Sequence, residues 1–285
     1  MKSTNKKVLL VAPYSFPSAC GIWARVYSDA KVLRDNGYEV TVYSSNIIKG
    51  TGLKSAKRET YESMKLRRFK VLLSLGQNAL FWPQMIIGII RLKPGIIHVH
   101  GYRHPHTLFG LLAGKLIGSK VIITTHAPFD KDPREPIHLK IIDKLFDVII
   151  GRWQLRHFDK VIRITDWEIP FLEALGCSNA VKVPNSINPV FLSDPSRNSQ
   201  PATRQLLYMG RIDPVKRLEW IKSAAEKLLS YKFIIRGPVQ GYTEFKSMPA
   251  IQFNKSADWI LTVDGNKVAM NPVSGAVKII VPKYY

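Results

Sequence analysis

Cysteine is scarce in this 285-residue chain. The two present, Cys20 and Cys177, lie far apart, and neither has a histidine or second cysteine at metal-ligand spacing. A disulfide framework or a zinc site is therefore not expected, and a reducing cytoplasm fits. Long apolar runs are also lacking. Val8 to Ala12 follows Lys2, Lys6 and Lys7, but Pro13 breaks it, and it is too short for the apolar core of a signal peptide. Pro17-Ser18-Ala19-Cys20 lacks the apolar residue of a lipoprotein cleavage site, so a buried first strand explains the run better. Ala79 to Ile90 contains Pro83 and Gln84 and falls short of the roughly 20 residues that span a bilayer. No internal repeat and no low-complexity tract occurs.

Acidic residues are the third deficit, 21 against 42 Lys and Arg, for a net charge of +21. The excess is spread along the chain, which suits an anionic partner: nucleic acid, acidic lipid or a phosphorylated substrate. No aromatic stacking pattern or nucleic-acid motif accompanies it, so specific nucleic-acid binding ranks last.

What is present is a chain long enough for two domains with real cores. Continuous apolar strands alternate with helices: strand Val8–Ala12, helix Ile22–Asn36, strand Tyr38–Ser44 and strand Leu66–Leu72. An apolar helix then runs through Arg91. Strand Ile96–Val99, helix His106–Ile117, strand Val121–Thr125, a helical region interrupted near Gly151, strand Val161–Ile164 and helix Asp166–Leu175 follow. Val181–Val183 ends the first domain, residues 1–183. Such alternation predicts an α/β fold with a parallel sheet wrapped on both faces. Residues 184–203 turn to Pro, Ser, Asn and Asp and read as a linker. Strand Leu206–Met209, helix Leu218–Leu229 and strand Lys232–Ile235 restart the pattern in an incomplete second domain, 204–285. Its tail reads as a β-hairpin turned at Asp264-Gly265, with one more strand at Val277–Val281.

Three features converge on phosphate handling. Cys20-Gly21 lies between a strand-exit loop and a helix start, where backbone N–H groups face outward and Gly21 has no side chain to block a diphosphate. A plain turn glycine is the commoner meaning of that pattern. Gly210-Arg211 directly follows a strand, and Lys216 lies near the next helix start. Arg offers a planar fork and Lys a point charge to phosphate oxygens. His126 ends a strand at the carboxyl edge, where open α/β sheets bind ligands, and can bond a sugar hydroxyl or carry a proton. His98 and His100 share one strand face. With no carboxylate or cysteine near them in sequence, packed histidines are favoured over a metal pair.

The order of Ser18-Ala19-Cys20-Gly21-Ile22, Ile97-His98-Val99-His100-Gly101, Thr125-His126-Ala127, Pro184-Asn185-Ser186-Ile187-Asn188 and Gly210-Arg211 through Lys216 resembles glycosyltransferase family 4. Arg236-Gly237-Pro238 and Ile251-Gln252-Phe253 are similar to later segments of that pattern. The resemblance implies the GT-B fold, two Rossmann-like domains whose parallel sheets face a cleft, and a retaining transferase. It implies a nucleoside-diphosphate sugar as donor and no metal or other cofactor. Gly21 and Ile22 would lie against the donor's diphosphate, and His126 would contact the transferred sugar. Gly210, Arg211 and Lys216 would hold the diphosphate as charge develops on it; Gly237 and the backbone at Phe253 would line the nucleotide. The sequence departs from the family in Cys20-Gly21 for Gly-Gly, Asn185-Ser186 for Asn-Gly, and Arg217 where a Gly often follows the lysine. The larger departure is the Glu-x7-Glu pair of the second domain, since no glutamate follows Lys255. Either a partner chain completes the donor site, the tail replaces it, or catalysis is lost, which would leave a non-catalytic GT-B remnant that binds a sugar nucleotide or a partner transferase.

Residues 54–70 are rich in Lys and Arg, including Lys65, Arg67 and Arg68, and an apolar stretch containing Trp82 follows. Basic residues beside an amphipathic helix suit peripheral contact with an anionic membrane at its cytoplasmic face, where a glycan or lipid-linked acceptor would be met. A core helix beside a solvated basic loop is the equal alternative.

Overall fold

Val8, Leu9, Leu10 and Val11 are all buried, as a strand covered on both faces requires. They form β1 (Lys7–Val11) in a computed structural model that describes residues 6–18, 20–49, 53–75, 79–129, 137–186, 205–209, 218–228, 230–236, 251–254, 259–263, 266–270 and 277–280. The chain divides into two units, Met1–Ile187 and Asn188–Tyr285.

In the first unit β1 leads to α1 (Gly21–Asp35), β2 (Glu39–Ser45), β3 (Arg58–Tyr61), β4 (Met64–Phe69), β5 (Leu73–Leu75), β6 (Ala79–Phe81) and α2 (Met85–Leu92). Then come β7 (Ile96–His100), α3 (Pro105–Leu116), β8 (Lys120–Thr124), α4 (Ile137–Phe146) and a π-helical stretch, Asp147–Gly151. α5 (Arg152–His157), β9 (Lys160–Arg163), a 3-10 turn at Asp166–Glu168, α6 (Ile169–Ala174) and β10 (Val181–Lys182) complete it. The sheet order is β10-β9-β8-β7-β1-β2-β4-β3, parallel throughout except for the β3–β4 edge hairpin. One core lies on each face, around Leu9, Val99 and Ile123 on one and Val8, Leu10 and Val26 on the other. Helix α3 approaches the sheet so closely that a Cβ at Gly114 would stand 2.4 Å from Val121 Cγ2 and one at Gly110 2.6 Å from Val99 Cγ1.

Two expectations need correction. The apolar stretch from Leu72 is not one amphipathic helix. Leu73–Leu75 and Ala79–Phe81 pair as an antiparallel hairpin, and helix begins only at Met85, beyond Pro83, which cannot sit in a helix interior. Two of the four residues placed at a membrane surface are interior. Trp82 is fully buried between Phe69 and His106, with ring centroids 5.7 and 5.5 Å away. Arg68 is 3% exposed, donating to the Phe16 and Ala56 carbonyls and to Ser15 Oγ while pairing with Glu59 at 2.7 Å. These acceptors satisfy a buried guanidinium that strand alternation turns inward with Met64 and Leu66. Arg67 lies over the Tyr43 and Phe69 rings. Lys65 is exposed and pairs with Glu39.

The second unit holds a parallel sheet of β11 (Gln205–Met209), β12 (Lys232–Arg236) and β13 (Ile251–Asn254), with α7 (Glu219–Lys227) connecting the first two. Leu218, Ala225, Phe233 and Ile235 form its core. A separate antiparallel meander contains β14 (Trp259–Val263), β15 (Asn266–Met270) and β16 (Val277–Ile280). Val263 pairs with Asn266, which leaves Asp264-Gly265 as the two-residue connection.

Candidate functional site

The strand order reverses between β1 and β7, from which successive crossovers run outward in opposite directions. At such a switch point the loops leaving the two strands part and open a crevice at their carboxyl ends. On the β1 side of it, α1 begins at Gly21, which is exposed and follows an extended Cys20 that makes no side-chain cap. Nothing lies within 4 Å of a Cβ built at Gly21, so internal packing does not require glycine there. The N–H groups of the first turn thus have no side-chain cap, an arrangement that accepts an anion. Ile22 is half-buried and packs with the core around Val8 and Leu10.

On the β7 side five of the seven histidines gather. His98 and His100 point to one face of β7, with ring centroids 4.1 Å apart. His98 Nε2 meets Thr124 Oγ1 at 2.8 Å, and His100 Nδ1 meets His126 Nε2 at 3.1 Å. His106 Nε2 donates to the His100 carbonyl at 2.9 Å, and the His104 ring lies 5.3 Å from that of His106. Burial disfavours the imidazolium of His98, His100, His106 and His126. It pushes His98 and His106 down to about 3 and His126 to about 4, and holds His100 well below 6.5. Arg25 depresses His98, His100 and His126 further, and the neighbouring imidazoles act in the same sense. These four imidazoles are neutral at pH 7. His126 can then offer or accept one hydrogen bond through Nδ1, which makes none among the described residues, without carrying charge.

His126 and Ala127 both have left-handed backbone angles, φ 62° and 50°. Side chains other than glycine adopt that region at a cost, so surrounding bonds must hold it. Glu168 does so. Its buried carboxylate accepts from the Thr125 hydroxyl and from the N–H groups of Ala127 (3.2 Å), Ile164 (2.7 Å) and Thr165 (3.2 Å). One side chain thereby pins the ends of β8 and β9 together and fixes the loop that presents His126. Thr165 and Glu168 also form the reciprocal capping box of the 3-10 turn. The Thr165-x-x-Glu168 spacing is visible in the sequence and points to a cap, not to a site support.

Arg25 and Asp29 carry no motif and were not expected here. Arg25 is 6% exposed; its Nε bonds both Asp29 oxygens at 2.8 and 2.9 Å. Its Nη1 donates to the carbonyls of Val183 (3.1 Å) and Pro184 (2.9 Å), beside Asn185 Oδ1 at 3.4 Å. Asp29 Oδ2 lies 4.0 Å from the buried, unpartnered His100 Nε2. A polar line thus runs from the start of the linker through Arg25, Asp29 and His100 to His126. Burial raises the Asp29 carboxyl above its ordinary range, and Arg25 opposes the rise. Asp29, His98 and His100 bring ligand atoms within 4.8 Å of one another, a group with metal-binding chemistry. The guanidinium fixed on the carboxylate opposes a second cation at that point.

Arg103, also at left-handed φ (66°), ties the loop after β7 to the helical layer by pairing with Asp143 at 3.0 Å and Asp147 at 2.5 Å. Tyr102 donates to Asp147 Oδ1 at 2.9 Å. In the second unit Gly210, Arg211, Lys216 and Gly237 lie outside the described residues. Phe253 belongs to β13, opposite Ile235 of β12.

The glycosyltransferase family 4 model matches residues 20–191. A phosphatidyl-myo-inositol mannosyltransferase of Mycolicibacterium smegmatis is 26% identical over 238 residues, 79% of this chain and 56% of the relative. The chain thus spans little more than half the length of that curated relative. Among solved structures, HepE from Anabaena in complex with UDP-glucose is 13% identical with a TM-score of 0.57, over 87% of this chain and 68% of that one. A glycosyltransferase from Rickettsia africae is 16% identical with a TM-score of 0.57, over 88% and 68%. At these identities the likeness is one of fold, the GT-B arrangement of α/β units with mostly parallel sheets.

Proposed function

This chain belongs to glycosyltransferase family 4, and from that premise we propose that it moves a sugar from a nucleoside-diphosphate donor to a glycan or lipid-linked acceptor at a membrane face, with retention at the anomeric carbon. The observation that carries this reading is the pairing at the switch point of the uncapped, unobstructed helix start at Gly21 with a neutral His126 held in strained backbone. The helix start suits the negative diphosphate. An uncharged imidazole suits a sugar hydroxyl, since it neither repels nor traps the charge that develops as the diphosphate departs. Arg211 and Lys216 are proposed to take up that charge on the leaving group. The mannosyltransferase relative, whose name carries a phosphatidyl-inositol acceptor, supports a lipid-linked acceptor here.

A second reading is a non-catalytic GT-B protein that binds a sugar nucleotide or a partner transferase. A thermal-shift titration with UDP, GDP, ADP and their sugar conjugates tests both, because a ligand bound only by the folded state must raise the melting temperature. A shift with one nucleotide, together with sugar release from its conjugate, supports transfer. A shift without turnover supports the second reading. No shift with any of them defeats the donor assignment. Gly21→Ala should leave the melting temperature of the free protein unchanged and diminish the nucleotide shift; an undiminished shift would remove Gly21 from the donor site.

A further inference from the structure

An exposed apolar face runs along α4 and the π-helical stretch. Ile137, Ile141, Ile142, Leu145, Val148 and Ile149 are 76, 53, 56, 53, 60 and 68% exposed. Spacings of three to five residues align them on one side of the helix, the pattern of a side that is normally covered. Its outward orientation is fixed by polar contacts on the opposite side. Asp143 and Asp147 both hold Arg103, Tyr102 bonds Asp147, and the Phe146 ring meets Tyr102 edge-on at 5.8 Å. Gly151 presses so near Tyr102 that a Cβ there would stand 1.8 Å from its hydroxyl, and Gln154 bonds Thr107 at 2.8 Å. Turning the apolar side inward would break this whole set.

Charge is segregated in the same way. Between residues 137 and 157 the only acidic residues are Asp143 and Asp147, both turned to Arg103. Lys140, Lys144, Arg152 and Arg156 are exposed. Trp153, 43% exposed, stands at the end of the apolar side, where an amphipathic ring suits a boundary between apolar and aqueous surroundings. An apolar protein partner would need no cationic margin free of carboxylates. A bilayer with negatively charged headgroups needs both, apolar side chains entering the acyl boundary and cations at headgroup level.

We propose that the face formed by α4, the π-helical stretch and the start of α5 docks the protein on an anionic phospholipid bilayer. This gives the membrane-face acceptor of the proposed function a physical location and rests on that reading for its purpose, whereas the binding itself does not depend on transfer. The surface lies away from Lys65–Arg68 and Trp82 in sequence and replaces them as the membrane contact.

The test is co-sedimentation of the full chain with phosphatidylcholine vesicles, with and without phosphatidylglycerol. A chain of this charge adheres to anionic vesicles weakly through charge alone, so the apolar variants decide. Ile142→Glu with Ile149→Glu should lower partition onto anionic vesicles by about tenfold or more, because two apolar insertions are lost and two repulsive charges added. Lys140→Glu with Lys144→Glu should lower it by a similar factor, and added salt should weaken the wild type. Val32→Glu, on the exposed side of α1 over the other core, should bind as wild type. Circular dichroism and melting temperatures matching wild type establish that the variants fold. Wild-type binding by the Ile142/Ile149 variant overturns the proposal, as does failure of the wild type to sediment. A concentration-dependent dimer that ignores vesicles and is dissolved by the same pair would also overturn it and assign the face to a second copy. Vesicle binding without any nucleotide shift in the thermal titration would defeat the donor reading and leave the docking face standing.

Discussion

Acidification from pH 7 to 5 should strip stability from the first unit faster than carboxylate titration alone can. His98, His100 and His106 are buried and His126 nearly so, all held neutral by that burial, with the Arg25 charge adding to it at His98, His100 and His126. The unfolded chain takes up protons at these residues near pH 6.5. The folded chain resists until about 4 for His126 and about 3 for His98 and His106. Stability from this source is therefore complete above pH 6.5 and drains away as pH falls toward the folded values. Each histidine is worth about 1 kcal/mol per pH unit in that window. Four together approach about 5 kcal/mol per unit as an upper bound, against the roughly 5–15 kcal/mol that a domain possesses. Asp29 acts in the opposite sense, since a carboxyl raised by burial takes its proton more readily in the folded state, but it is one group against four. Thermal melts at constant ionic strength between pH 7.5 and 5 should show a steep fall beginning near pH 6.5. His126→Asn should lessen the slope by about a quarter, one histidine of four. A melting temperature that moves by less than about two degrees over that range would refute the buried-neutral account of the cluster.

Two further outcomes follow from packing. Glu168→Ala removes the acceptor for three backbone N–H groups and a hydroxyl, and should cost about 3 kcal/mol or more in urea unfolding, with Glu168→Gln recovering part. An unchanged midpoint would mean that the carboxylate does not hold the His126 loop. Gly114→Ala should cost about 1–3 kcal/mol through the clash with Val121, and Val121→Ala in the same background should relieve it. Additive losses in the double variant would show that the close approach of α3 is not the cause.

Continuous apolar strands separated by helix-period segments announce β1, α1, β2, β7, α3, β8 and β9, because a parallel sheet covered on both faces leaves little ambiguity of pattern. The β3–β4 hairpin is invisible for a local reason. Its two turn residues, Glu62 and Ser63, both have positive φ (45° and 65°), a conformation usually announced by Asn-Gly or Asp-Gly. The tail displays Asp264-Gly265 openly, and the antiparallel pairing of β14 with β15 on either side of it is correspondingly readable. Residues 72–87 mislead because short apolar strands and a buried helix give the same run of letters, and a tryptophan or arginine carries no mark of which side it will face. Within the site, Gly21 and His126 stand beside recognisable sequence landmarks. Arg25, Asp29 and Glu168 do not, since their importance arises from partners 41 to 160 positions away that only the folded chain supplies.

The π-helical stretch at Asp147–Gly151 has a consequence for how this chain tolerates change in length. It amounts to one residue more than a regular helix would use between the Asp143–Arg103 anchor and the Gln154–Thr107 anchor. Removing one residue there could restore regular winding and, because the bulge already absorbs the extra residue, leave both anchors in register. The same removal from the regular helix beyond Asp143 has no such slack and turns everything downstream by about 100°, carrying Gln154 out of reach of Thr107. In an alignment both are one-position gaps in a helix; in the molecule one is absorbed where it falls and the other acts as a twist.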